Sequence, residues 1–482
     1  MSMPRREFLK TVGAGVFLAA MGETVRAQSA AREKPNIVLC MADDQGWGDM
    51  GYYGHPVLKT PNFDAMAAEG LRFDRFYAAA PVCSPTRGSV LTGRHPNRFG
   101  CFIWSRTLRP QEITLAEALK TAGYATGHFG KWHVGCVYKG SPVNPGASGF
   151  DEWLSSPNHY NNDPILSREG TAVQMRGESS MVAVDAGIEF IRKHAKNRQP
   201  FLAVVWFGSP HVPHRPAEED RARYAAQDEA HQHYYGEITG MDRAFGKLRD
   251  ELRQLGIHRN TILWYCSDNG GVRKVSVTGG RAGKSSIYEG GLRVPAILEW
   301  PTRIAKPRTT KVPCNTSDIY PTLLAITGVH MKNQPPLDGV SLVPLIDGAM
   351  TVRPEPMMFW KYPARGVGTS SSKLMGELLR AQQAGKPLPE GAQLCLDAGD
   401  TSRQYPKDVF PGHAAMLDWP WKLHRIGRRT GAARFELYDL ADDPEEARNV
   451  APEHPKRVTS MTAELEKWQV SVVGSLNGAD YR

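Results

Sequence analysis

Six short stretches carry side chains able to do chemistry. Cys83-Ser84-Pro85-Thr86-Arg87 follows an apolar run from Phe76 to Val82, and Pro85 suits a first helical turn, so Cys83 is expected at a helix N-terminus with Arg87 one turn on. The positive field there favours a thiolate or a bound anion. Asp43 and Asp44 end an apolar run from Asn36 to Met41. Adjacent carboxylates repel unless a cation or protons neutralise them, which points to a hard metal ion. Asp268 and Asn269 end another such run, Thr261 to Cys266, and add a carboxylate and an amide oxygen. A set of oxygen ligands without His or Cys favours calcium or magnesium over zinc. Lys131 and His133 stand two apart after Gly130, so on an extended segment they share a face. His211 and His214 follow the run Phe201 to Phe207, with Pro213 arguing against a helix that presents both to a metal. Lys284 sits in a Gly/Ser-rich loop. Taken singly, each also has an ordinary reading: an inert buried thiol, a solvated turn, a surface lysine.

The elements that must position these residues alternate. Buried runs read as strands at Asn36–Met41, Phe73–Ala80, Tyr124–Phe129, Phe201–Phe207, Thr261–Cys266 and Val294–Trp300. Between them lie helices: one opened by Thr60 and Pro61 and running to Gly70, one with a capping box at Thr114 and Glu117, and others near 180–196, 228–255 and 317–328. This predicts an α/β fold, a large mostly parallel sheet flanked by helices on both faces, whose strand ends carry the ligand site. Residues 141–178, rich in Pro, Asn, Gly and Ser, read as an irregular excursion. From about residue 352 the texture changes to strands near 357–362, 415–425 and 434–440 and a helix near 456–468, a smaller C-terminal domain of antiparallel sheet plus helix. A polar insertion spans 366–412.

Several of these strings together resemble one family. Cys83-x-Pro85-x-Arg87 followed by Thr92-Gly93-Arg94 is similar to the signature of type I sulfatases of the alkaline phosphatase superfamily. So are Asp43-Asp44-x-Gly46, Gly130-Lys131-x-His133, Pro210-His211-x-Pro213 and the block from Gly283-Lys284 to Glu289-Gly290-Gly291-x-Arg293-x-Pro295. The resemblance implies that Cys83 is converted to Cα-formylglycine by a formylglycine-generating or radical maturase before folding. It also implies one calcium ion held by Asp43, Asp44, Asp268, Asn269 and the modified Cys83. A hydroxyl of the hydrated aldehyde attacks the sulfur, and Arg87, Lys131 and Lys284 neutralise the sulfuryl oxygens. His211 with Lys284 protonates the leaving alcohol, and His133 removes a proton to expel sulfate. His214 is left unassigned.

Composition is that of a globular protein: 482 residues, 41% hydrophobic and 23% charged, large enough for a main core and a second unit. Arg5-Arg6 before the short apolar stretch Thr11–Met21 and small residues near Ala27 read as a twin-arginine export signal, residues 1–27, handled by that export machinery. The stretch is too short to span a bilayer, so no membrane anchor is expected in the mature chain. Removing the leader lowers the formal charge from +9 to +7. A basic periplasmic or secreted protein suits an anionic partner, and with no nucleic-acid motif the expectation is a sulfated polysaccharide or glycosaminoglycan fragment rather than nucleic acid. The domains expected are 34–351, catalytic, and 352–482. Alternatives are an arylsulfatase for small esters, a phosphonate or phosphate ester hydrolase, and an unmodified protein that only binds sulfated glycans.

Overall fold

The run Asn36–Ala42 is apolar on both faces and forms β1, an inner strand of an eleven-stranded sheet. The computed structural model describes residues 34–387, 394–427 and 432–481. The expected leader, residues 1–27, and part of the expected insertion, 388–393, lie outside the described residues. The other strands of this sheet are β2 (Leu71–Tyr77), β3 (Ala125–Lys131), β4 (Glu152–Ser156), β5 (Ile165–Arg168), β6 (Thr171–Gln174), β7 (Phe201–Trp206), β8 (Thr261–Ser267), β9 (Arg293–Glu299), β10 (Arg308–Thr310) and β11 (Cys314–Asn315). Their order is β10-β2-β9-β8-β1-β7-β3-β4-β5-β6, with β11 also on β2. The five strands from β8 to β4 in that order are parallel, while β9, β5 and β6 run against their neighbours.

Side chains along β1 alternate between two cores. Ile37, Leu39 and Met41 meet one with residues of α2 (Cys83–Thr92), α3 (Leu115–Lys120) and α6 (Ile319–Thr327). Val38, Cys40 and Ala42 meet the other with α1 (Pro61–Glu69), α4 (Ser179–Lys196) and α5 (Glu229–Gln254). The fold is therefore α/β with helices on both faces. The capping box at Thr114 forms as expected. Thr60 does not cap α1: its hydroxyl donates to Asp64 and accepts from Gly51 N–H instead. No helix among the described residues is long and apolar enough to cross a membrane.

Two expectations need correction. Residues 141–178 are not simply irregular, because β4, β5 and β6 extend the sheet there; all three are short, and β5 and β6 bury little beyond one face. The single strand expected over 415–425 is two, β13 (His413–Asp418) and β14 (Trp421–Ile426), turned at Trp419-Pro420. With β12 (Met357–Lys361) and β15 (Arg434–Asp439) they make a four-stranded antiparallel sheet. Inside the polar insertion lies α7 (Ser371–Gln383), where Gln382 accepts from Ala172 N–H at 2.9 Å. The final helix, α8 (Pro455–Leu476), runs beyond the expected Trp468 because Val472, Val473 and Leu476 still have a core to fill.

The small sheet is fastened to the site-bearing loop by a buried charge cluster. Lys422 on β14, with no exposed surface, donates to Glu289 Oε1 at 2.8 Å and lies 3.0 Å from Glu446 Oε1. Glu446 Oε2 accepts Glu289 N–H at 2.6 Å, and Tyr77 donates to Glu289 Oε2 at 3.0 Å. Removing the lysine strands two buried carboxylates. Lys422→Met is expected to cost ~3–5 kcal/mol of unfolding free energy, read from the urea transition of the whole chain.

Candidate active site

Strand register builds the site. Ala42 pairs with Ser267 and Met41 with Trp206, while Gly130 pairs with Trp206 from the other side. Asp43, Asp268 and Lys131 therefore leave neighbouring strands at one sheet edge. Asp43, Asp44 and Asp268 are fully buried, and each is paired with a cationic side chain. Lys131 Nζ donates to Asp43 Oδ2 at 2.5 Å, and Lys284 Nζ to Asp44 Oδ2 at 2.6 Å. Arg87 donates from Nε and a terminal nitrogen to Asp268 Oδ2 at 3.0 and 2.7 Å, with its guanidinium 5.1 Å from the Trp206 ring.

Burial opposes ionisation of these acids, but Lys131, His211 and Arg87 hold Asp43 well below the usual carboxylate range. Lys284 and His211 also lower Asp44. Burial and the charge of Asp43 push Asp268 up, against Arg87. Lys284, although burial works against it, is held protonated by Asp44.

Cys83 is the first residue of α2 and 1% exposed, its Sγ 4.0 Å from Asp44 Oδ1. The expected thiolate is not found. Burial pushes the thiol far above its ordinary range, and Arg87 spends its hydrogen bonds on Asp268 and the Lys131 carbonyl rather than on sulfur. Lys131 and His133 do not share an extended face either, because β3 ends at Lys131 and His133 turns left-handed at φ 57°. Burial keeps His133 neutral, with Nε2 3.0 Å from Ser105 Oγ. His211 donates Nδ1–H to the Val212 carbonyl at 2.6 Å, which leaves Nε2 as the acceptor 3.1 Å from Lys284 Nζ. His214 packs on Tyr234 instead and stays outside the cluster.

The ligand atoms of Asp43, Asp44, Cys83 and His211 lie within 4.8 Å of one another. Asn269 Nδ2 donates to Asp44 Oδ1 at 2.8 Å, and Asp268 Oδ1 accepts Asp44 N–H at 3.2 Å. Asp43 Oδ1 and Asn269 Oδ1 are buried oxygens without a hydrogen-bond partner. A hard cation satisfies both and relieves the repulsion among the three carboxylates, so the residues present fit one.

Sequence comparison agrees with this geometry. The sulfatase family model matches residues 35–329. The chain belongs to the sulfatase family. It is a type I sulfatase of the alkaline phosphatase superfamily, an enzyme that hydrolyses sulfate esters. N-acetylgalactosamine-6-sulfatase of Canis lupus familiaris is 33% identical over 376 residues, 68% of this chain and 69% of that protein. The ulvan-active sulfatase of Formosa agariphila is 32% identical over 338 residues, 65% of each. Among solved structures, Ps i-CgsB in complex with k-i-k-neocarrahexaose has a TM-score of 0.74 at 24% identity, over 90% of this chain and 93% of that one, which shows the shared fold.

The sulfatase site also uses residues to which the strings assigned no role. Asp49 accepts from Tyr234, Ser276 and the Gly46 and Val277 N–H groups, tying the Asp43-Asp44 turn to the loop that carries Lys284. His159 stacks on His211, rings 4.3 Å apart. Neither sits in a distinctive pattern; Asp49 follows Asp43-Asp44 closely enough that its type alone was the available signal. Gly130 is required by sterics: at φ 104° a Cβ would lie 1.9 Å from the Trp206 carbonyl. Gly130→Ala is expected to cost this sulfatase ~1–3 kcal/mol or more in stability and to shift Lys131, giving lower activity in the folded fraction. Paired urea melts and rate measurements check both.

Proposed function

We propose that this enzyme is a glycan sulfatase that works with Cys83 as Cα-formylglycine beside one calcium ion. Asp43, Asp44, Asp268, Asn269 and the modified Cys83 are the residues that would hold the ion. When present, the aldehyde hydrate supplies a hydroxyl nucleophile for sulfur and the ion a fixed positive charge at the sulfuryl group. The observation that carries the reading is the ring of Arg87, Lys131 and Lys284 around the buried Cys83, cations fixed before any substrate arrives. Such preorganised charge stabilises negative charge gathering on sulfuryl oxygens without reorganisation. Lys284 and His211, already hydrogen-bonded, supply the proton to the leaving alcohol. His133 takes the proton whose removal expels sulfate.

What adjoins His133 supports the substrate class. A cavity of about 590 Å³ presents Ser105, Thr369 and Lys373 on a mostly apolar wall that includes Tyr138, Val367 and Leu374. Hydroxyls and a cation beside apolar surface suit a sulfated sugar better than a flat aryl ester. The relatives' names, one for a sulfated N-acetylgalactosamine and one for ulvan, support the same class. In this reading residues 34–351 are catalytic, residues 352–482 are a subdomain whose insertion walls the cavity, and residues 1–27 direct twin-arginine export to the periplasm or beyond.

Rates with sulfated oligosaccharides, an aryl sulfate and a phosphate monoester, before and after EDTA treatment, test this. The expected result is sulfate release fastest from oligosaccharide, lost with EDTA and restored by calcium, with Lys131→Ala lowering kcat ~100-fold or more. Preferential phosphate release, or indifference to EDTA, would contradict it.

A further inference from the structure

His133 is held by groups outside every motif described above. Its backbone is left-handed, and so is that of Ser105 at φ 59°. Neither residue is glycine, and such conformations persist where surrounding contacts enforce them. The two side chains meet, Ser105 Oγ 3.0 Å from His133 Nε2. Thr369 Oγ1 donates to Ser105 Oγ at 2.8 Å, and Ser105 N–H donates to Ser84 Oγ, also at 2.8 Å, one residue from Cys83. His133 Nδ1 is buried with no hydrogen-bond partner.

Thr369 belongs to the 366–412 insertion and is itself pinned. Asn158 Nδ2 donates to the Thr369 carbonyl at 2.9 Å, and Ser371 Oγ bonds Ser156 Oγ and Asn158 N–H, each at 3.0 Å. The insertion is thereby fixed to the end of β4, next to β3 and His133.

We propose that Ser105 and Thr369 are positioning residues, a hydroxyl relay from the insertion that keeps the proton of His133 on Nε2 and leaves Nδ1 as its proton-accepting atom. A hydroxyl oxygen has two lone pairs. Thr369 fills one on Ser105, the other accepts from Nε2–H, and the hydroxyl proton of the partly buried Ser105 points into the adjoining cavity. A neutral imidazole protonated at Nε2 carries its lone pair on Nδ1. When Nδ1 takes a proton, the imidazolium formed still donates to Ser105, so the ring need not turn. The proton moves from the reacting hydroxyl to Nδ1 and none is passed along the relay. The catalytic consequence rests on the sulfatase reading above; the tautomer does not.

The test uses the full, matured chain labelled with 15N-histidine, with the His133 ring signals identified by their loss in His133→Asn. The relay predicts protonated Nε2 and bare Nδ1 in the wild type, and loss of that preference in Ser105→Gly and Thr369→Val. It further predicts kcat lower by ~10–100-fold in both variants with KM unchanged. Ser105→Asn, which tolerates a left-handed backbone and retains a carbonyl acceptor, is expected to recover part of the rate. Glycine suits φ 59° better than serine, so a merely structural Ser105 predicts an unimpaired Ser105→Gly. That result, or a wild-type ring protonated at Nδ1, overturns the relay. A wild type that releases no sulfate refutes the sulfatase reading instead, and the ring signals still decide the tautomer.

Discussion

Three carboxylates held without solvent at the ends of two adjacent parallel strands set the terms for the rest of the molecule. The β1–β8 register brings Asp43 and Asp44 beside Asp268, and all three are fully buried. Two like charges 4 Å apart repel by about 4 kcal/mol even at the effective dielectric typical of protein. Closing the sheet edge therefore requires compensation from Arg87 on α2, Lys131 at the end of β3 and Lys284 after β8. The same cations that make this edge foldable are those assigned to the sulfuryl oxygens in the proposed mechanism, where stability and catalysis draw on one charge arrangement.

Getting each cation there explains otherwise unrelated features. Gly130 lets β3 pass close to the Trp206 carbonyl so that Lys131 follows in place. Asp49 pins the loop before Lys284, and the Lys422–Glu289–Glu446 cluster secures the loop after it. The small antiparallel sheet thus meets the site-bearing loop through charge, while its insertion lines the cavity through Thr369 and α7.

Much of this was legible in the chain because buried parallel strands leave continuous apolar runs. β1, β7 and β8 are such runs, and each ends in the polar residues the site uses. The five motif blocks likewise bring Asp43, Asp44, Cys83, Lys131, His211 and Lys284 together. What local pattern could not carry is tertiary. β4, β5 and β6 are too short, and β5 and β6 too one-sided in burial, to show a run. The thiolate expected at Cys83 followed from a helix-terminus field worth ~0.3–1 kcal/mol at an exposed site, whereas full burial beside carboxylates dominates. The left-handed turn at His133 and its contact with Ser105 join segments 28 residues apart, and Thr369 comes from 264 residues beyond Ser105. No periodicity or spacing encodes such meetings.

The proposed chemistry turns on Cys83 acting as an aldehyde hydrate. The measurement that bears on it most directly is the mass of the tryptic peptide Phe76–Arg87 from protein made in its own host with the leader intact. The expected result is the aldehyde or its hydrate in place of the thiol. A peptide carrying only unmodified cysteine would contradict it, since a plain thiol adduct has no second hydroxyl from which to expel sulfate.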